Sequence, residues 1–184
     1  MVAFAHLRRL APLLIAGALS GCIAGPSGNA HVPQPAKAVE LPRYLGLWHE
    51  FARYDMAFEK GCEGVTARYA LRPDGKIDVT NTCHAGAPDG PVKVAKGKAT
   101  PVAGSNGAKL KVSFFGPALF ANYWVLDRAD DYSWAIVGEG SGRFLWILTR
   151  EAQPSPARRE ELVQRVRALG YDTAMLRFTR QAPP

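Results

Sequence analysis

Val65-Thr66-Ala67-Arg68-Tyr69-Ala70-Leu71, then Arg72-Pro73-Asp74-Gly75, then Ile77-Asp78-Val79-Thr80-Asn81 is the stretch that decides the fold. Apolar residues recur at alternate positions on both sides of a Pro-Asp-Gly turn, so residues 65–82 read as a β-hairpin with one buried face. The same period runs outward from it. Lys109-Leu110-Lys111-Val112-Ser113-Phe114 alternates with both lysines on the wet face, which turns Leu110, Val112 and Phe114 inward. Residues 93–102 alternate more weakly. Tyr123-Trp124-Val125-Leu126, Ser133-Trp134-Ala135-Ile136-Val137 and Phe144-Leu145-Trp146-Ile147-Leu148 are richer apolar strands. Counted from the segment around Trp48, about eight strands follow one another through short turns, the pattern of an all-β antiparallel up-and-down barrel or of a sandwich.

One helix is predicted after the last of these strands. Ser155 can cap it, Pro156 suits its first turn, and Glu160 and Glu161 favour its positive end. Leu162, Val163, Val166 and Leu169 form one apolar stripe and Gly170 supplies the stop, so the helix is expected to brace the outside of the barrel. A short strand over Met175–Thr179 closes the pattern.

Residues 1–21 have a basic start at Arg8 and Arg9, an apolar run over Leu10–Leu19, and small residues at the end. That is the build of a secretory signal peptide, and the run is too short for an ordinary membrane span. Leu19-Ser20-Gly21-Cys22 resembles the bacterial lipobox. The resemblance implies that Cys22 becomes the acylated first residue of the mature chain, held at a membrane by several acyl chains where one would be marginal. Ile23 stands where Asp favours inner-membrane retention in enteric bacteria, so the outer membrane, at its periplasmic face, is the expected location. A plain signal peptide with an incidental cysteine is the alternative. Residues 22–40 read as the acylated cysteine and a flexible tether, because Gly25, Pro26, Ser27, Gly28, Pro33 and Pro35 interrupt any regular element. Residues 41–181 are then the barrel domain.

Composition narrows the function classes. The 184 residues are 47% hydrophobic and 21% charged, enough for a core and against disorder. The formal charge is +7 with 23 basic and 16 acidic residues, and the excess is spread along the chain with no basic run. Nucleic-acid binding, which wants a clustered basic face, is not expected. No nucleophile elbow, phosphate loop or paired-cysteine metal motif occurs, so neither a cofactor nor a metal is expected. Gly138-Glu139-Gly140-Ser141-Gly142 precedes a strand rather than the helix a phosphate site needs. His49 and His84 lack an acid or nucleophile at a motif spacing, and Glu50 with Arg53 reads as an ion pair or as solvated charges.

Tyr44-Leu45-Gly46-Leu47-Trp48-His49-Glu50-Phe51-Ala52-Arg53 resembles the Gly-x-Trp opening of the lipocalins, and among them the bacterial outer-membrane lipoproteins and the apolipoprotein D group. Lys109 to Pro117 is similar to a run of the bacterial group. Leu145-Trp146-Ile147-Leu148-Thr149-Arg150 is similar to the family's last barrel strand, and Asp127 to Tyr132 more loosely to its middle motif. The resemblance spans residues 41–181. It implies an eight-stranded barrel closed at one end, with the helix packed outside and room for one small ligand. It also implies that Gly46, Trp48 and Arg150 keep the fold, the Arg150 guanidinium covering the Trp48 ring.

With Cys22 assigned to acylation, Cys62 and Cys83 remain, flanking the first hairpin. If Cys62 starts one strand and Cys83 ends the other, the turn brings them opposite each other, and export favours a disulfide. The alternative is a reactive thiol, as in the lipocalin-type prostaglandin isomerase.

Period two names the residues able to face a cavity. Leu110, Val112 and Phe114 are one set, and Val65, Ala67, Tyr69, Ile77 and Val79 are the hairpin's. Trp146 shares parity with Arg150. Tyr123 or Trp124 joins them, the parity of residues 123–126 and 133–137 being open; Tyr123 is the candidate taken. The function implied by the resemblance is binding, and transport or storage, of acyl-chain lipids such as fatty acids or lysophospholipids in the cell envelope. A structural lipoprotein with a filled barrel, or an isomerase- or lipase-like enzyme, is the alternative. A homodimer shaping the mouth stays open.

Overall fold

The computed structural model describes residues 26–114, 116 and 120–183; the leader and Cys22 lie outside the described residues. Eight strands run antiparallel in chain order: β1 (Gly46–Tyr54), β2 (Cys62–Leu71), β3 (Ile77–Ala85), β4 (Val92–Pro101), β5 (Lys109–Ser113), β6 (Ala121–Arg128), β7 (Trp134–Gly138) and β8 (Leu145–Thr149). Each pairs with the next, and β1 pairs with both β8 and β2, so the sheet closes into a barrel. Closure leaves no bare edge among these strands except where pairing is partial. The ninth strand, β9 (Leu176–Phe178), lies outside it. It takes the edge of β1 at Ala52–Tyr54, beyond the Gly46–His49 stretch that β2 occupies.

The deciding hairpin forms as its pattern requires. Tyr69 stands opposite Val79 and Leu71 opposite Ile77, and Gly75 takes a φ of +75° in the turn. Cys62 and Cys83 are joined in a disulfide across it, with Cα atoms 5.3 Å apart.

Two apolar clusters form, one on each side of the barrel wall. The interior holds Trp48, Ala67, Tyr69, Ile77, Val79, Leu110, Val112, Val125, Ala135, Val137 and Leu148. The outer cluster holds Phe51, Leu126, Trp134, Ile136, Leu145 and Ile147 under the helix α2 (Pro156–Ala168), which presents Leu162 and Val166 to them. This settles the parity left open by the sequence: Tyr123, Val125, Ala135 and Val137 face inward, while Trp124, Leu126, Trp134 and Ile136 face the helix.

Ser155 caps α2, its Oγ accepting from Arg158 N–H at 3.2 Å, and Gly170 ends it at a φ of +85°. Glu160 and Glu161 lie past the first turn. Glu161 instead pairs with Arg158 at 2.6 Å and Arg165 at 3.0 Å, ion pairs along one face.

The described part of the expected flexible tether is a strap fastened to the barrel, a correction to the reading from composition. Gly28 N–H donates to Gly142 O at 3.0 Å and Asn29 Nδ2 to Leu169 O at 2.9 Å. Lys37 Nζ donates to Arg128 O at 2.9 Å, and Val39 N–H to Asn106 O at 2.8 Å. Glycine and proline exclude helix and strand here, but they do not prevent the remaining polar groups from finding partners on an existing surface.

Candidate ligand-binding site

One end of the barrel is plugged. The single helical turn α1 (Leu41–Tyr44) lies across it, and Trp48 Nε1 donates to Tyr44 O at 2.8 Å. Arg150 lies over the Trp48 ring, its guanidinium carbon 3.7 Å from the centroid. The same guanidinium donates to Leu47 O at 2.6 Å, Leu45 O at 2.9 Å and Arg43 O at 3.0 Å. A planar cation thus satisfies carbonyls at the helix end while stacking on the indole, which only Arg can do. Gly46, at a φ of +95°, carries the backbone between these parts, and a side-chain carbon there would stand 3.5 Å from Arg150.

Above the plug lies a hydroxyl cluster. Tyr123 Oη is 2.6 Å from Tyr44 Oη and 2.9 Å from Tyr69 Oη. Burial raises all three phenols, Tyr69 to about 12, so each keeps its proton and the cluster is neutral. At this depth Ile77 and Leu110 are 1% exposed. The lower half of the barrel is therefore packed with side chains.

The upper half is open. β4 pairs with β5 only through Lys98–Pro101, which leaves Val92–Gly97 without a strand partner on that side among the described residues. In the β3–β4 register Asn81 stands opposite Ala95 and Val79 opposite Gly97, so Ala95 and Gly97 share the inward face of Val79. Ala95 is nevertheless exposed. An inward residue reached by solvent marks an accessible interior. The Phe114 ring lies on Gly97, where an added side-chain carbon would come within 2.8 Å of it. Phe114, Tyr123 and Trp146 are half-buried against the interior cluster, and Phe144 stacks on Trp146 at 6.1 Å between centroids.

A polar cluster stands beside this space. A bulge in β1 between Glu50 and Ala52 brings Arg53 to the same side as Glu50. Arg53 Nη1 pairs with Glu50 Oε1 at 2.5 Å and donates to Thr179 Oγ1 at 3.0 Å, while its Nε lies 3.4 Å from Glu59 Oε2. Trp146 Nε1 donates to the same Glu59 oxygen at 3.2 Å. Burial, then the nearby Glu50 carboxylate, push Glu59 up to about 8 against the pull of Arg53 and Trp146. Glu59 therefore keeps its proton near neutrality, which brings the cluster close to neutral overall.

The expected wall residues fall into two levels. Ile77, Val79, Leu110, Val112 and Tyr69 are buried in the interior cluster and Tyr123 is bonded to Tyr69 at that level, whereas Phe114 and Trp146 line the accessible half. Val65 is buried but stands apart from that cluster, next to the irregular β2–β3 register after Glu63. Sequence reasoning missed Tyr44, Glu59 and the small residues Ala95 and Gly97. Their signal was faint: Tyr44 and Glu59 lie outside strands, and the weak alternation of residues 93–102 is what a strand with small inward residues looks like. Glu50 and Arg53 form the ion pair that was one of their two readings. Among the described residues no group of three or more His, Cys, Asp or Glu is placed to hold a metal ion, and no helix is long and apolar enough to cross a membrane.

A family model described as a lipocalin-like domain matches residues 39–181. The chain is 37% identical over 177 residues to the outer membrane lipoprotein Blc of Vibrio cholerae, covering 95% of this chain and 99% of that one. It is 34% identical to the Escherichia coli outer membrane lipoprotein Blc, covering 94% and 98%. Temperature-induced lipocalin-1 of Arabidopsis thaliana is 36% identical, covering 80% and 83%. Among solved structures, insecticyanin from the tobacco hornworm Manduca sexta superposes with a TM-score of 0.64 at 17% identity, covering 86% of each chain, which speaks to the fold alone. A closed barrel plugged by Trp48 and Arg150, a family model over nearly the whole described domain, and relatives this similar along their full length together show that the chain belongs to the lipocalin family.

Proposed function

We propose that the protein is an envelope lipoprotein that binds, and transports or stores, lipids with one acyl chain, fatty acids or lysophospholipids, in the open half of its barrel. The observation that carries this is the contrast between the two halves. The floor is packed and neutral, while the inward Ala95 is exposed in the half where Phe114 and Trp146 are only half-buried. An apolar pocket with a few polar groups at its entrance suits an acyl chain with a polar head. Burial of each methylene contributes about 0.8 kcal/mol before the costs of binding, so affinity should climb with chain length until the space is full. The packed floor favours a short cavity and hence an early plateau. Binding rather than catalysis is the role, because the disulfide occupies both barrel cysteines and the tyrosines stay protonated.

Acylation of Cys22 would hold the protein at the outer membrane, at its periplasmic face. The relatives named outer membrane lipoproteins support that location. Cys22→Ser should release the chain from membrane fractions, and the wild type should carry acyl mass.

The deciding experiment is a titration of the delipidated Cys22→Ser chain with fatty acids and lysophospholipids of graded length. Saturable binding that strengthens and then levels off with length supports the proposal. No saturable binding of any acyl ligand sinks it and favours a structural lipoprotein with a filled barrel. Light scattering on the same sample reports whether a homodimer forms.

A further inference from the structure

The strands alternate in direction, so the connections sort into two ends. Residues 72–76, 102–108 and 129–133 lie with Trp48 and Arg150 at the plugged end; residues 55–61, 86–91 and 139–144 lie at the mouth, as do Phe114, Gly116 and Phe120. The strap begins at the mouth. Ser27 Oγ donates to Ser141 O at 2.9 Å, Gly28 N–H to Gly142 O, and Asp172 N–H to Gly28 O at 2.9 Å. The fit is tight: a side-chain carbon on Gly142 would collide with Asn29 O at 2.0 Å. From there the strap runs to the plugged end, where Val39 meets Asn106 and Glu40 N–H donates to Tyr132 Oη at 2.8 Å.

Five residue steps separate Cys22 from Ser27. A fully extended chain covers roughly 3.5 Å per step, so a lipid on Cys22 lies within about 18 Å of the mouth. β1 alone has nine residues, about 30 Å of strand. The leash is therefore too short for the membrane to lie beneath the plugged end.

The exposed apolar side chains choose between the mouth and the side. Among the described residues five large ones are exposed: Phe58 at 68%, Val92 at 59%, Leu71 at 57%, Val94 at 54% and Phe120 at 50%. Only Leu71 is at the plugged end. Phe58 also touches Phe144 at 5.9 Å between centroids, and Phe144 stacks on Trp146, so an aromatic path leads from the rim to the inner wall. Charges at the rim offset each other, Asp55, Asp89 and Glu139 against Lys60, Lys93 and Arg143. The contact surface is apolar rather than electrostatic.

We infer that the barrel docks mouth-down on the leaflet that carries its own acyl groups, with Phe58, Val92 and Phe120 seated among the lipids. This rests on the reading of Cys22 as acylated. Lipid then passes between leaflet and barrel along Phe58, Phe144 and Trp146 without crossing bulk water.

Hydroxyl-radical footprinting of the full acylated chain on vesicles of phosphatidylethanolamine and phosphatidylglycerol tests this. The Cys22→Ser chain mixed with the same vesicles is the reference. Oxidation of Phe58 and Phe120 should fall severalfold in the acylated chain while Leu71 is unchanged, and raised salt should not restore it. Acyl mass on the chain with Phe58 and Phe120 oxidised at the reference rate, or protection centred on Leu71, overturns the docking alone. A chain without acyl mass overturns the docking and the lipoprotein reading together. A Phe58→Ser, Phe120→Ser double variant, still acylated, should take up a fluorescent fatty acid from vesicles severalfold more slowly, and an unchanged rate overturns the proposed path.

Discussion

Replacing Arg150 by Ala should open the plug without touching the open half of the barrel. Three things are lost. The guanidinium leaves the Trp48 face, 3.7 Å from the centroid, which is worth about 1–2 kcal/mol for a partly desolvated cation. The bonds to Leu47 O, Leu45 O and Arg43 O go with it, and charge-assisted bonds contribute roughly 1.5–3 kcal/mol net. Burial of the cation, which lowers its pKa, offsets part of both. The balance is a destabilisation of about 3 kcal/mol, read in urea as a midpoint lower by roughly 1.5 M for an m-value near 2 kcal/mol per molar. Arg150→Lys keeps the charge but lacks the planar fork, so it should recover less than half of that loss. Fatty-acid affinity under native conditions should stay at the wild-type level in both variants. A midpoint for Arg150→Ala indistinguishable from wild type, or Lys serving as well as Arg, would refute the plug as the source of stability.

Reducing the chain, or substituting Cys62 and Cys83 by Ser, should cost about 3 kcal/mol by loop-closure entropy, the cysteines being 21 residues apart; an unchanged unfolding midpoint under reducing conditions contradicts it. Glu59 is raised from its ordinary 4.5 to about 8, so the folded state binds its proton more tightly. The stability this contributes is fully present below about 4.5 and is lost as pH rises through about 8. The groups around it are Glu50 and Arg53 on β1, Trp146 on β8 and Thr179 after β9. Wild type should therefore lose stability relative to Glu59→Gln across that window, and its tryptophan emission should titrate with a midpoint near 8 that vanishes in the variant; a flat difference denies the shift. Trp146→Ala should weaken long-chain ligands more than short ones in the same titration, and equal losses across lengths would remove Trp146 from the wall.

The strands, their order and the outer helix were legible in the sequence, because period two and the Ser155, Pro156 and Gly170 signals are local consequences of backbone geometry. So was the inward face wherever one face is wet, as the lysines at 109 and 111 made it for Leu110, Val112 and Phe114. Local patterning could not orient β6 and β7, whose two faces are both apolar: one meets the barrel interior and the other meets α2. It could not show that Gly28 and Asn29 are fastened, since their partners, Gly142 and Leu169, lie more than 110 residues away. Nor could it bring Tyr44, Tyr69 and Tyr123 to one point, or Glu59 beside Arg53 and Trp146. Those clusters exist only because barrel closure sets β1 between β2 and β8 and so brings distant strands around one interior. Sequence alone determined the kind of surface each strand offers; the closed sheet decided which surfaces meet, how much of the interior is filled, and at which end it opens.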